Sequence, residues 1–194
     1  MTYQKLKKIV EAQGFKFFDK GDYNLNLIFV RSSDRFTDVY DDTLFIAYRV
    51  NNKEVVTELN CSTDAGIYYF SINPFKFNPK GVAIIQMGQQ VLGSHRYTTR
   101  KFLGQPFLEQ IVPMKYWRDK NKDTVIDKSV EEISIASTQV HNGGSILARI
   151  YNWSAGCSIL PKEQYPIFLS IIDKARAIHG DIFSTTWLDK KVTL

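Results

Sequence analysis

The sequence predicts a β-rich α+β protein, a single domain over residues 1–194 in which a β-sandwich or barrel carries one helix near each terminus. Three observations predict it. Helical periodicity appears at the two ends of the chain and not between them. Residues 15–160 break into short β-branched and aromatic runs punctuated by Gly, Pro and Asn. A length of 194 residues with 44% hydrophobic and 23% charged residues suits one globular domain. It excludes a disordered, collagen-like or disulfide-dense chain.

The elements follow in order. Residues 2–13 form the first helix: Leu6, Ile9 and Val10 share a face, Thr2 caps the start and Gly14 ends it. Tyr23–Val30 and Leu44–Val50 read as strands. Asn51-Asn52 then turns the chain into Glu54–Leu59, a hairpin. Ile67–Phe70 and Val82–Met87 are further short strands, separated by breaks at Pro74, Pro79 and Gly81. Ile133 and Ile135, then Ile146, Ala148 and Ile150, alternate with period two, so these two segments are expected to pair as a hairpin. Residues 162–179 form the second helix, with Pro166 in its first turn and Phe168, Ile171, Ile172 and Ala175 on its apolar face. A last strand covers 182–188.

Lys and Arg total 25 against 20 Asp and Glu, a net charge of +5. The basic residues are scattered, so a nucleic-acid partner is not expected. No run approaches the ~20 apolar residues of a membrane-spanning helix. The N-terminus MTYQKLKKIVEAQG lacks the apolar core of a secretory signal, so synthesis in a cytoplasm is expected. Two cysteines, Cys61 and Cys157, make no disulfide framework.

Chemistry concentrates in Ser137-Thr138-Gln139-Val140-His141-Asn142-Gly143-Gly144 and Asn152-Trp153-Ser154-Ala155-Gly156-Cys157-Ser158. A thiol of pKa ~8.5 is mostly protonated at neutral pH, and a neighbouring imidazole converts it to the nucleophile. Cys157 is therefore the candidate nucleophile and His141 its base. Ser154, or a backbone carbonyl, would orient the imidazole. Gly156 lets the backbone approach a substrate, and the amides around it could hold an oxyanion. The competing reading is a small buried Cys and a structural His.

This pattern resembles the L,D-transpeptidase (YkuD-like) catalytic domain, in which a histidine precedes a Ser/Thr-x-Gly-Cys motif. His141 and Cys157 stand sixteen residues apart, within that family's range, and Ser154 and Gly156 match its motif. Ala155 replaces a frequent His, and Ser158 replaces the Arg or Asn that usually follows the cysteine. Arg149, Arg96 or Arg118 would then have to recognise a substrate carboxylate. The resemblance implies a β-sandwich and a cysteine-dependent peptidase or transpeptidase acting on peptidoglycan stem peptides, with no cofactor required. Thr63–Tyr68, Asn78–Ile84, Gly88-Gln89, Gly93-Ser94-His95, Tyr116–Asp119 and Trp153–Cys157 also resemble, in the same order, uncharacterised proteins of phages and prophages of Bacteroidetes-type hosts. That second resemblance implies an endolysin-like enzyme that acts at the cell wall or travels in a virion. The alternative it leaves is a non-enzymatic virion or wall-binding protein contacting other virion proteins.

Substrate contacts are expected from His95, Arg149 and Trp153, the last as a cleft wall or core residue. Asp119, Asn121, Asp123 and Asp127 take positions 1, 3, 5 and 9 of an EF-hand-type loop, with Ile126 at the apolar eighth. Thr124 replaces the Gly of position six and Val130 the bidentate Glu of position twelve. A Ca²⁺ held there would be structural. The competing reading is a solvated acidic-basic loop.

Overall fold

The computed structural model describes residues 1–73, 75 and 78–192, so the break expected at Pro74 lies outside the described residues. Helix α1 spans Tyr3–Ala12, with Thr2 Oγ1 accepting the Lys5 amide at its start, and helix α2 spans Tyr165–His179. The strands are β1 (Asn26–Arg31), β2 (Asp42–Val50), β3 (Lys53–Cys61), β4 (Val82–Ile85), β5 (Gln89–Phe102), β6 (Gln105–Gln110), β7 (Met114–Asp119), β8 (Glu131–Ser134), β9 (Val140–Asn142), β10 (Ser158–Leu160) and β11 (Ile182–Asp189).

Eight strands form one sheet in the order β10-β9-β6-β5-β11-β1-β2-β3. The β1/β11 and β9/β10 pairs are parallel and the others antiparallel. The sheet curls until its ends meet: Ser62, just beyond β3, exchanges both backbone hydrogen bonds with Ile159 of β10, each 2.9 Å. The result is a near-closed barrel. Strands β4, β7 and β8 form a separate three-stranded sheet.

Alternation along β1 builds two cores. Leu27 and Phe29 face one that receives Tyr165, Phe168, Ile171, Ile172 and Ala175 of α2. Phe29 stacks there on Trp187 with ring centroids 4.2 Å apart. Ile28 and Val30 face the other, which receives Tyr3, Leu6 and Val10 of α1. Burial of each such side chain contributes roughly 1.5–3 kcal/mol. The unbroken apolar run Leu27–Val30 thus reflects a strand covered on both faces. Among the described residues no helix is long and apolar enough to cross a membrane.

The β2–β3 hairpin turns at Asn51 and Asn52, both in the left-handed region (φ 49° and 62°) that asparagine tolerates. Three expectations need correction. Residues 68–72 form a π-helical turn, not a strand, closed by the Asn73 amide on the Tyr68 carbonyl at 2.7 Å; Gly66, just before it, lies against Tyr151, whose carbonyl oxygen would stand 2.0 Å from an added Cβ. The segment 89–119, given no strand from sequence, holds three, including the long β5–β6 hairpin. The Ile133/Ile150 hairpin does not form. Residues 143–157 run as turns anchored on buried Asp38, whose Oδ1 accepts the Tyr151 amide and whose carbonyl accepts the Ile150 amide.

Candidate active site around Cys157

A cleft of about 490 Å³ opens between the three-stranded sheet and the turn that precedes β10. Val82 and Ala83 of β4, Arg118 of β7, Glu132 and Ser134 of β8, and Cys157 line it. Register explains the charged pair: β7 and β8 run antiparallel with Tyr116 opposite Glu132. Arg118 then grips Glu132 through Nε–Oε2 (3.2 Å) and Nη2–Oε1 (3.0 Å). The guanidinium, helped by Ser134 and Lys80, holds the Glu132 carboxyl down to about 2. Of the three arginines considered for carboxylate recognition, Arg118 alone lines this cleft; Arg96 pairs with Glu109 on another face.

The turn that presents the sulfur is built from the Ser-x-Gly-Cys sequence. Ser154 Oγ donates to the Cys157 carbonyl at 2.7 Å and accepts the Gly156 amide at 3.1 Å. Gly156 has φ +125°, and a Cβ there would stand 2.4 Å from the Ala83 carbonyl oxygen. Ser154 therefore shapes the turn, and it makes no hydrogen bond to the imidazole. Gly156 seats the turn against β4. Its amide is committed to Ser154, so an oxyanion needs another donor.

Cys157 is half-buried. Its Sγ accepts the Gln139 amide at 3.3 Å and faces the Ser137 carbonyl at 3.8 Å. Burial pushes the thiol up to about 11, against the opposing pull of the Gln139 N–H. At neutral pH the resting group is therefore the thiol.

His141 lies on β9, beside β10. The pairing is parallel and sets Ile159, not Cys157, opposite His141. Nδ1 is 2.6 Å from the Asn142 carbonyl oxygen, which can only accept, so the proton sits on Nδ1. Nε2 is buried and without a hydrogen-bond partner among the described residues. Burial pulls the imidazole down to about 4, so it is neutral at pH 7. Phe102, from the tip of the β5–β6 hairpin, covers the ring edge-on with centroids 4.4 Å apart. Imidazole and thiol share no hydrogen bond in this resting arrangement.

Comparison with protein-family models, with curated proteins and with solved structures finds no match to this chain.

The remaining candidates are placed by burial. His95 is fully buried and both ring nitrogens are engaged, Nδ1 with Ser94 Oγ (2.9 Å) and Nε2 with the Thr138 carbonyl (3.1 Å). It does not reach the cleft surface, which corrects its expected role in touching substrate. Arg149 is exposed and turned to Asp38, with Nε 2.6 Å from Oδ2, so it tethers its own loop. Trp153 is exposed, its ring close to the Gly144 backbone, and it does not line the Cys157 cleft, so it is neither the cleft wall nor the core residue expected.

The oxygens of the acidic loop cap their own backbone. Asp119 accepts the Asn121 and Asp127 amides, Asn121 that of Asp123, Asp123 that of Val125, and Asp127 that of Ser129. Among the described residues no group of three or more His, Cys, Asp or Glu is disposed to hold a metal ion. Sequence reasoning gave no role to Glu132, nor to Ser137 and Gln139 within the motif segment, since strand register and turn geometry, not residue type, bring them to the site.

Proposed function

We propose that the chain is a cysteine-dependent acyl-transfer enzyme of peptidoglycan stem peptides, with Cys157 as nucleophile and His141 as base. The observation that carries this reading is the His141 tautomer. The Asn142 carbonyl accepts the Nδ1–H and leaves the Nε2 lone pair free, on the strand paired with the one that follows the cleft thiol. An unpartnered buried imidazole nitrogen costs stability, and a role in proton transfer is one reason for a fold to keep it.

In the proposed cycle the Cys157 S–H proton passes to His141 Nε2 and the sulfur bonds to the peptide carbonyl carbon. The resulting oxyanion collapses, the C–N bond breaks, and the leaving amine takes the proton from Nε2. Water resolves the thioester in a peptidase, an amine in a transpeptidase. Hydrolysis fits better with a phage protein that meets the wall from a virion or after lysis begins. His141 does not line the cleft and shares no hydrogen bond with the sulfur at rest, so the proposed transfer requires substrate binding to bring sulfur and Nε2 together. Within the cleft the Arg118–Glu132 pair offers one charge of each sign to a peptide that carries both.

The test is incubation with purified sacculi or muropeptides, wild type beside Cys157→Ala, read by mass spectrometry. Bond cleavage or new crosslinks lost in the variant support the reading; identical products from both proteins overturn it.

A second reading, a non-catalytic wall-binding or virion protein on the same scaffold, is favoured by the separate hydrogen bonding of His141 and Cys157. Sacculi that retain the protein without any change in their muropeptides would support it.

A further inference from the structure

The Thr138–Gln139 peptide unit has two partners of functional interest on its two sides. Its carbonyl oxygen receives His95 Nε2 at 3.1 Å. Its N–H points at Cys157 Sγ at 3.3 Å. One planar amide therefore connects a fully buried imidazole to the cleft sulfur.

The connection extends backwards and its direction is fixed by chemistry. The Thr138 oxygen only accepts, so His95 carries its proton on Nε2, and neutral Nδ1 needs a donor. Ser94 Oγ, 2.9 Å away, supplies it. Ser94 Oγ stands 2.9 Å from Thr185 Oγ1, which in turn receives the Trp187 indole N–H at 2.9 Å. The indole can only donate. The chain runs one way, from Trp187 through Thr185, Ser94 and His95 to the Thr138–Gln139 amide and the sulfur. Its four side chains are all fully buried. The Ser94 hydroxyl also lies 3.3 Å from the Phe183 carbonyl, a longer and competing acceptor.

We infer that His95 is a positioning residue for Cys157: it holds and polarises the Thr138–Gln139 amide so that this N–H stabilises the thiolate. Hydrogen bonds in series strengthen one another, and an ionised acceptor gains most. The amide is held from other sides as well. Gln110 Oε1 accepts the Thr138 amide and hydroxyl, and Ser158 donates to the Gln139 carbonyl. The other ionisable groups near the sulfur are engaged elsewhere: Tyr116 donates to Thr138 Oγ1, and Arg118 and Glu132 hold each other. His95 thus acts on the sulfur through the backbone, while His141 is the base of the proposed reaction. The inference deepens that reading but is measured on the thiol alone, without peptidoglycan.

The experiment is the pH dependence of iodoacetamide alkylation at Cys157, read on its own peptide by mass spectrometry so that buried Cys61 does not interfere. His95→Leu removes the donor. His95→Gln keeps an N–H near the Nε2 position. In His95→Leu the thiol pKa should rise by about half a unit, leaving about threefold less thiolate at any pH below it. His95→Gln should restore most of that shift. Equal shifts in both variants, or none in either, would overturn the inference. If His95→Leu does not fold, Thr185→Val cuts the chain upstream and should shift the pKa the same way by a smaller amount; no shift there counts against it. In the wild type, long-range ¹H–¹⁵N spectra should show His95 protonated at Nε2, and an Nδ1–H tautomer would sink the idea outright. A shifted thiol pKa in a protein inert towards sacculi would uphold this inference and dismiss the enzymatic reading.

Discussion

Nδ1 of His141 is bonded at 2.6 Å to the carbonyl oxygen of Asn142, its own neighbour in the chain. The imidazole is thereby fixed in one tautomer by local backbone geometry, with no carboxylate needed to orient it. Phe102 shields its ring and burial holds its pKa at about 4. In an NMR titration, His141 should stay neutral down to about pH 5. Phe102→Ala should admit water and move the midpoint up towards the ordinary ~6.5.

The Cys157 thiol, pushed up to about 11, should alkylate slowly at pH 7. Its rate should climb about tenfold per pH unit through pH 9–10. An ordinary exposed cysteine levels off above its pKa of ~8.5. A plateau reached by pH 9 would contradict the burial described for this sulfur.

Ser154→Ala removes the donor to the Cys157 carbonyl and the acceptor of the Gly156 amide. Since Ser154 is buried, the expected cost is about 1–3 kcal/mol, measurable by urea unfolding. The effect should reach the sulfur, with altered alkylation even where the protein remains folded.

Gly156→Ala should be more severe. It forces a side chain into φ +125° and sets Cβ 2.4 Å from the Ala83 carbonyl oxygen. Strain and overpacking together should cost about 3 kcal/mol or more. The measurement is again the unfolding midpoint, with Ser154→Ala as the milder reference.

Acidification pulls stability in two directions. His95 and His141 titrate near 4 in the fold, against ~6.5 when unfolded. The unfolded chain therefore binds more protons in that window, and their contribution is lost as pH falls through it. Asp64 behaves oppositely. It lies 3.1 Å from Arg31 Nη2, yet its Oδ1 accepts no hydrogen bond, and burial raises it to about 7. Its carboxyl is protonated in the fold before it is in the unfolded chain, so it adds stability as pH drops from about 7 towards ~3.9. Asp64→Asn should steepen the loss of stability between pH 6.5 and 4, measured by thermal melts.

What was legible in the sequence was periodic. The two helices declare themselves through Leu6/Val10 and Phe168/Ile171/Ile172, and Asn51-Asn52 announces the β2–β3 turn. The β5–β6 hairpin stayed hidden because Gln89, Gly93, His95 and Thr99 share the alternate positions of Val91 and Tyr97 and break any apolar alternation, although Leu103-Gly104 supplies its left-handed turn. The motif marked the turn that carries Cys157. It could not show that β9 and β10 run parallel, because that depends on Asp38 anchoring a loop more than a hundred residues along the chain. Nor does residue type distinguish a histidine that meets substrate from one like His95, sealed behind the cleft wall.

The bond pair between Ser62 and Ile159 has a mechanical meaning. The stave that seals the cylinder is the same three-residue strand that begins immediately after the sulfur. Breathing at this seam would tug directly on Cys157, so amide exchange at Ile159 offers a gauge of how firmly the sulfur is clamped.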